Sequence, residues 1–450
     1  MSLNSNNQII EQAFQFLNQF TNYERQLRYP YNGWAMNLER VRILLKEVGS
    51  PEKTLPAIHL AGTKGKGSTS KFVQSILSAV GYKVGLYTSP HLLKVNERIQ
   101  INDSSISDLE LAQAIASLKP GVQAVRENKE LGEVTYFELL TASAFYYFSL
   151  QKVDYAVLET GLGGRYDATN VCNPKLVIIT PISFDHTDIL GNTLQEIAQE
   201  KAMIIKQNCP VVMSVQPEPA KKVIEQRAEQ VKAQLFPVEN YYQFQLNSIN
   251  PQEMNFDLLG KRNLIGLKTK MLGPAQMINC ASALLACDLL SEPGAKISDS
   301  EVRQGIERAL LPARFQQVQF QDKTIILDGA HNQESAKALA QALSLIYPEK
   351  KYNFIIGLSQ DKDIEGFLKE LKPRAHQIIF SQARLQRAVG KERLINALGE
   401  CAIPVAFESE IHQALEKMIS ITSSDEIIII TGSFYLVGDA LEWLSGKPSQ

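Results

Sequence analysis

The sequence predicts an α/β protein with two mostly parallel sheets, a large one in the N-terminal part and a smaller one toward the C-terminus. Three observations carry this. Short apolar runs alternate with helix-period segments from about residue 54 onward, the signature of successive β-α units. A turn-rich stretch over 236–272 interrupts the alternation, and a second strand–helix series begins near Thr324. A chain of 450 residues has room for both sheets, since domains commonly take roughly 100–200 residues each.

Leu55 to Ala61 reads as a strand, after which Phe72, Val73, Ile76, Leu77 and Val80 recur at helical spacing. Lys83 to Tyr87 returns as a strand. A helix is expected over Phe137 to Leu150, strands over Asp154 to Glu159 and Leu176 to Thr180, and a helix over Leu194 to Ile205. Short antiparallel strands are assigned to the interrupting stretch. In the second series, 324–332, 352–359, 376–381 and 426–433 read as four strands, each followed by a helix-period segment. The intervening 310–322 places a domain boundary near residue 315, dividing the chain into 1–313 and 314–450.

Composition excludes several classes of protein. Lys plus Arg number 46 against 48 Asp plus Glu, a formal net charge of −2, so no global basic field exists to hold nucleic acid or a membrane surface. Hydrophobic residues at 44% and charged residues at 21% match an ordinary globular protein. Cys172, Cys209, Cys280, Cys287 and Cys401 are odd in number and widely spaced without a C-x-x-C, which suggests neither a disulfide framework nor a zinc ribbon. The N-terminal segment lacks the basic and apolar regions of a signal peptide, and no apolar stretch reaches the roughly 18 residues of a membrane span. A soluble cytoplasmic protein is expected.

The most informative stretch runs Gly62-Thr63-Lys64-Gly65-Lys66-Gly67-Ser68-Thr69, where a buried strand turns into a helix. Glycines let backbone wrap phosphate oxygens, and amides at a helix N-terminus point at an anion along a favourable dipole. Lys66 would place a charge on the outer phosphates, and Ser68 or Thr69 a hydroxyl on phosphate or Mg²⁺. The spacing departs from G-x-x-x-x-G-K-[ST], with two residues between Gly62 and Gly65 and with Gly67 ahead of Ser68. On this loop the N-terminal domain reads as P-loop-type and mostly parallel, the C-terminal one as a smaller Rossmann-like α/β domain.

This loop, followed by 85–91 (GLYTSPH) and 96–99 (NERI), resembles the folylpolyglutamate synthase/dihydrofolate synthase family of the Mur ligase superfamily. The resemblance continues through TYFELLT (135–141), ETGLGGRYDATN (159–170), DHTDILG (185–191), EKAMIIK (200–206), DGAHN (328–332), DKD (361–363) and TGSFYL (431–436). It spans about 400 residues in order. It implies an ATP-dependent amide ligase in which a substrate carboxylate takes the γ-phosphoryl group and the amine of L-glutamate attacks the acyl phosphate. Such chemistry gathers negative charges that cations and oriented dipoles must offset.

By this resemblance Gly65, Lys66, Gly67, Ser68 and Thr69 cradle phosphates, Asn279 contacts adenine, and Arg314, Asp328 and His331 approach the nucleotide from the second domain. Ser89 and Glu159 hold one Mg²⁺, and His186 with a carbamylated Lys201 serves a second. Lys66, His186 and Lys201 are thus the expected catalytic groups. Thr135, Tyr136, Phe137 and Glu138, with Tyr166, Asp167 and Ala168, are the expected contacts of a folate or dihydropteroate substrate. A monomer is expected. Because the nucleotide groups come from both domains, the site should be complete only on closure.

Among the histidines, His59 reads as a core residue of its strand, His91 equally as loop structure or as a substrate contact, and His376 and His412 as surface positions. Glu97 and Arg98 read as an ion pair that orients the loop after Ser89. Met203 stands where the family commonly has glycine. Where the family often shows Asp-Leu-Gly or Phe-Gly, this chain has Trp34-Ala35-Met36-Asn37, with Asn37 able to take a left-handed conformation. Two other readings share these residues. A cell-wall Mur-type ligase acting on a nucleotide-linked peptide would carry a further domain before the loop, where only 61 residues precede Gly62. A non-catalytic nucleotide-binding module would not need Lys66, Glu159, His186 and Lys201 together.

Overall fold

The computed structural model describes residues 3–26, 30–291, 296–385, 387–400 and 402–446; Cys401 lies outside the described residues. The first sheet contains β1 (Ala57–Ala61), β2 (Val84–Tyr87), β3 (Ile99–Ile101), β4 (Ser104–Ser105), β5 (Tyr155–Glu159), β6 (Pro174–Ile179), β7 (Val211–Met213) and β8 (Leu235–Pro237). Its order is β4-β3-β2-β5-β1-β6-β7-β8, parallel from β2 to β8 with β3 and β4 antiparallel at one edge. All five residues of β1 are buried, as a central parallel strand covered on both faces requires.

Helix Lys66–Ala79 follows β1 and is covered by Ala275–Leu290 and Asp299–Arg308. The last of these approaches closely, since a Cβ on Gly305 would stand 2.5 Å from Cα of Ile76. On the other face Leu38–Lys46, Asp108–Ser117 and Tyr136–Leu150 bury Leu44, Ile115, Phe145 and Phe148 against the sheet. The turn-rich stretch resolves into two parts. Leu235–Pro237 pairs parallel with β7 as the sheet's far edge, while β9 (Tyr242–Ile249), β10 (Met254–Gly260) and β11 (Leu264–Thr269) form the antiparallel sheet that the sequence suggests.

The C-terminal sheet contains β12 (Gln316–Phe320), β13 (Lys323–Leu327), β14 (Tyr352–Ile356), β15 (Ala375–Phe380), β16 (Val405–Phe407) and β17 (Ile427–Thr431), ordered β12-β13-β17-β14-β15-β16. The four expected strands form its centre, and β12 and β16 extend it at the edges. Only β12 is antiparallel. Among the described residues no helix is long and apolar enough to cross a membrane.

One buried ion pair ties the N-terminal segment to the fold. Arg40 sends Nε and one terminal nitrogen to Glu138 at 2.6–3.1 Å, and the remaining N–H groups to the carbonyls of Trp34, Ala35 and Leu131. All five guanidinium donors are thereby used. Glu138 also accepts from the amide of Thr135, closing the capping box of Tyr136–Leu150. Glu138→Ala leaves Arg40 buried without its counter-charge, so a loss of about 3–5 kcal/mol in urea unfolding is expected.

Candidate active site

β1 ends at Ala61 and the chain turns through the glycine-rich loop into helix Lys66–Ala79. Gly65 sits at φ +76°, and a Cβ there would stand 2.3 Å from Oδ1 of Asn279, so only glycine fits this turn. The amides of Lys66, Gly67 and Ser68 lie in the helix's first turn and have no intrahelical carbonyl to reach. Those of Thr63 and Lys64 both donate to the carbonyl of Pro181 at 3.0 Å, pinning the loop to the segment after β6. Ser68 and Thr69 are buried, and the Thr69 hydroxyl has no partner. The arrangement is an anion cradle.

A cavity of ≈ 260 Å³ opens beside this loop. Much of its wall is built from residues that follow the carboxyl ends of strands in both sheets, the usual ligand position in α/β folds, and the rest comes from the N-terminal segment and the start of helix Tyr136–Leu150. Lys66 and Lys201 both donate to the carbonyl of Gly62, at 3.1 and 2.9 Å. Burial, and then the charge of Lys66, lower the Lys201 ammonium to about 7. Glu159, at the end of β5, is buried beside the phosphate helix: a Cβ on Gly67 would be 3.6 Å from its Oε2. Burial raises its pKa against the pull of Lys66, Arg314 and the donating amide of Ser89. His186 occupies a left-handed turn at φ 49°, and burial with Lys362 lowers its imidazole to about 3, which keeps it neutral.

The two sheets meet across Asp185. Its Oδ1 accepts from Lys362 at 2.8 Å and its Oδ2 from Nδ2 of Asn332 at 2.9 Å, while Nε2 of His331 stands 3.6 Å away. Its carboxyl is held well below its usual range by His331 and Lys362, which outweigh the opposing effect of burial. His331 bonds the carbonyl of Gly329 through Nδ1 at 2.8 Å, leaving Nε2 toward the cleft. Arg314 lies 4.5 Å above the Phe434 ring, and its buried Nε has no partner. Asp328, just past β13, accepts from the amides of Phe315 and Ala330 at 2.8 and 2.9 Å. Asn279 abuts Gly65 from the buried face of its helix.

Thr135, Phe137, Glu138, Tyr166, Asp167 and Ala168 line the same cavity. Tyr136 is buried and does not line it, because it sits one position round the helix from Phe137. Tyr166 packs edge-on against Tyr31, 5.5 Å between centroids. Two expected contacts are occupied structurally: Glu138 holds Arg40, and Asp167 holds the glycine loop 161–164. Asp167 accepts from the amides of Gly161, Leu162 and Thr169 and, at 2.5 Å, from the Thr169 hydroxyl. Thr169 in turn bonds Nε2 of His59 at 2.8 Å, and the Cys172 thiol meets Nδ1 at 3.5 Å. His59 is therefore a satisfied core histidine, as its place in the strand suggests. His376 is exposed and pairs with Glu426 at 2.9 Å.

Two sequence readings are corrected. Glu97 and Arg98 do not pair: Glu97 accepts from the amides of Leu92, Leu93 and Lys94, whereas the fully buried Arg98 makes two bonds to Glu24 at 2.6–2.7 Å and one to His91 at 2.8 Å. Adjacent side chains in a tight turn point apart, so each finds a partner elsewhere. Asn37 is extended at φ −97° and caps helix Leu38–Lys46 through its side chain rather than taking a left-handed turn. Sequence reasoning also omits Glu24, Asp185, Lys362 and Arg387 from the cavity wall. Asp185 and Lys362 stand inside motifs already singled out, and their position after strands was the available signal.

Among the described residues no three His, Cys, Asp or Glu side chains converge to hold a metal by themselves. Mg²⁺ keeps water and substrate phosphates among its ligands and takes one or two protein carboxylates. The buried Glu159 against the phosphate helix offers such a carboxylate.

A glycine loop at the carboxyl end of a central parallel strand faces a second α/β sheet across a cavity lined by charges of both signs, and residues 60–287 match the Mur ligase middle domain, which puts the chain in the Mur class of ligases. Residues 312–443 match the dihydrofolate synthetase C-terminal domain. The dihydrofolate synthase/folylpolyglutamate synthase of Bacillus subtilis (strain 168) is 37% identical, over 90% of this chain and 94% of its own. Among solved structures, Mycobacterium tuberculosis folylpolyglutamate synthase complexed with ADP superposes with a TM-score of 0.88 at 28% identity, covering 99% of this chain and 100% of its own. Escherichia coli FolC in complex with DHPP and ADP gives 0.82 at 28% identity, covering 96% and 98%. The chain belongs to the dihydrofolate synthase/folylpolyglutamate synthase family.

Proposed function

We propose that this chain ligates L-glutamate to the carboxylate of a folate or of dihydropteroate, with ATP converted to ADP and phosphate through an acyl phosphate. The carrying observation is the convergence of Lys66, Lys201, Glu159 and Arg314 around the start of the phosphate helix, with Phe137 and Tyr166 lining the same cavity. Relatives complexed with ADP, and with DHPP and ADP, support both ends of this reading.

In this reading Gly65, Lys66, Gly67, Ser68 and Thr69 hold the phosphates, Asn279 the adenine and Asp328 the ribose. Arg314 and His331 reach the nucleotide from the C-terminal side, and the chain divides functionally at 313/314. Ser89 and Glu159 would hold one Mg²⁺, and His186 with carbamylated Lys201 a second. Bound Mg²⁺ supplies neutralisation where the carboxylate approaches the γ-phosphoryl group. Two ammonium groups on one carbonyl is an unfavourable crowd. Carbamylation of Lys201 removes one of those cations and presents anionic oxygens instead.

The test is phosphate release from ATP with Mg²⁺ and L-glutamate, with dihydropteroate or tetrahydrofolate added as acceptor. Release is expected only with an acceptor, and the preferred acceptor assigns the activity. Absence of release with both overturns the proposal.

A further inference from the structure

The phosphate loop carries two lysines that point in different directions. Lys66 stays within its own loop on the carbonyl of Gly62. Lys64 leaves the loop, and its ammonium bonds Oδ1 of Asn332, across the cleft in the C-terminal part. Its own amide is fixed on Pro181, so the loop's position dictates where that ammonium stands.

Asn332 has further bonds. It caps helix Gln333–Ile346, its Oδ1 accepting from the amide and hydroxyl of Ser335 at 3.0 and 2.8 Å, and its Nδ2 donates to Asp185 at 2.9 Å. Asp185 also takes Lys362 at 2.8 Å. The circuit Lys64–Asn332–Asp185–Lys362 thus alternates between the two sheets' sides, with every contact crossing the cleft.

We infer that Lys64 is a positioning residue that latches the phosphate loop to the C-terminal part, so that phosphate occupancy and closure of the cleft are coupled. This inference rests on the ligase reading above for its consequence, but not for its geometry. Lys64 stands among Lys66, Arg314 and Lys362 with Asp185 as the nearby anion. In the absence of phosphates that crowd of cations opposes closure. Bound phosphates offset Lys66 and Arg314, and the closed circuit then becomes the favoured state, a differential interaction of the kind that shifts a two-state equilibrium.

The experiment compares wild type, Lys64→Met, Asn332→Ser and the double variant. Serine retains the helix cap while losing the reach to both Lys64 and Asp185. Small-angle scattering with and without ADP–Mg²⁺ reads closure, and calorimetry reads ADP affinity. ADP is expected to compact the wild type and not Lys64→Met, with ADP affinity lowered about three- to tenfold by the lost coupling and the glutamate KM raised about tenfold in that variant. The double variant is expected to be no worse than Asn332→Ser alone, and Lys64→Arg to restore compaction. Full compaction of Lys64→Met, independent multiplying effects of the two substitutions, or an ADP affinity lost as fully as in Lys66→Met would each overturn the latch. Compaction and ADP binding are measured without turnover, so a failure of the ligase reading is separately visible.

Discussion

Lys66→Met is expected to slow acceptor-dependent phosphate release by about 10³-fold, the loss of roughly 4 kcal/mol of transition-state stabilisation. The magnitude follows from position. The ammonium lies at the mouth of the phosphate helix, 3.1 Å from the Gly62 carbonyl, on the cavity wall and within electrostatic reach of the buried Glu159. A carboxylate approaching a triphosphate there brings like charges together in a site partly shut off from water, where a fixed cation acts more strongly than in bulk. Methionine keeps the length of the side chain and removes only the charge. Quenched-flow phosphate release reads the rate, calorimetry reads a weakened ADP affinity, and an unchanged thermal unfolding curve shows the fold is intact. A loss below tenfold would assign the outer phosphates to other groups.

The parts of the site legible in the sequence are those whose chemistry is written in consecutive residues. The loop around Lys66, Ser89 after β2, Glu159 at the end of β5 and the 185–191 turn each follow a strand, and the sheet's carboxyl edge gathers them. What escapes is what two sheets make together. Neither Lys64 nor Asn332 shows that it bonds the other across 268 positions, and Asp185 gains its role only when Lys362 arrives opposite. The same holds for Arg98, whose neighbour Glu97 is the obvious partner in sequence, while Glu24 supplies the charge in space.

The fold divides in the same way. Central strands such as β13, β14 and β17 are buried along their whole apolar length and read plainly. β12 is Gln-Gln-Val-Gln-Phe, never fully buried and without an apolar run, and β16 is apolar but only three residues long, too short for a strand pattern to register. Phe137 and Tyr136 differ by one helical position, enough to put one on the cavity and the other in the core.

Lys201→Ala is expected to lose about 10²–10³-fold in rate and to regain part of it when formate or acetate is supplied. The reasoning begins with charge. Lys201 is 5% exposed, and its ammonium shares the Gly62 carbonyl with Lys66, so as a cation it adds to a crowded positive site. As a carbamate it would become an anion beside Lys66, in the cavity that His186 also lines, and would offer oxygens of the kind Mg²⁺ takes. A small carboxylate entering the space left by the alanine variant would supply similar oxygens. Rescue should rise with carboxylate concentration, saturate, and fail with chloride or with a carboxylate too large for the space. Carbamate formation also requires the neutral amine. With the ammonium lowered to about 7, the neutral fraction is large at pH 8 and only about a tenth at pH 6. Enzyme stripped of carbon dioxide in the absence of nucleotide should therefore recover on adding bicarbonate far more at pH 8 than at pH 6. Wild-type activity in Lys201→Ala without any carboxylate would remove Lys201 from the metal site, and loss without rescue would leave the residue a structural ammonium on Gly62.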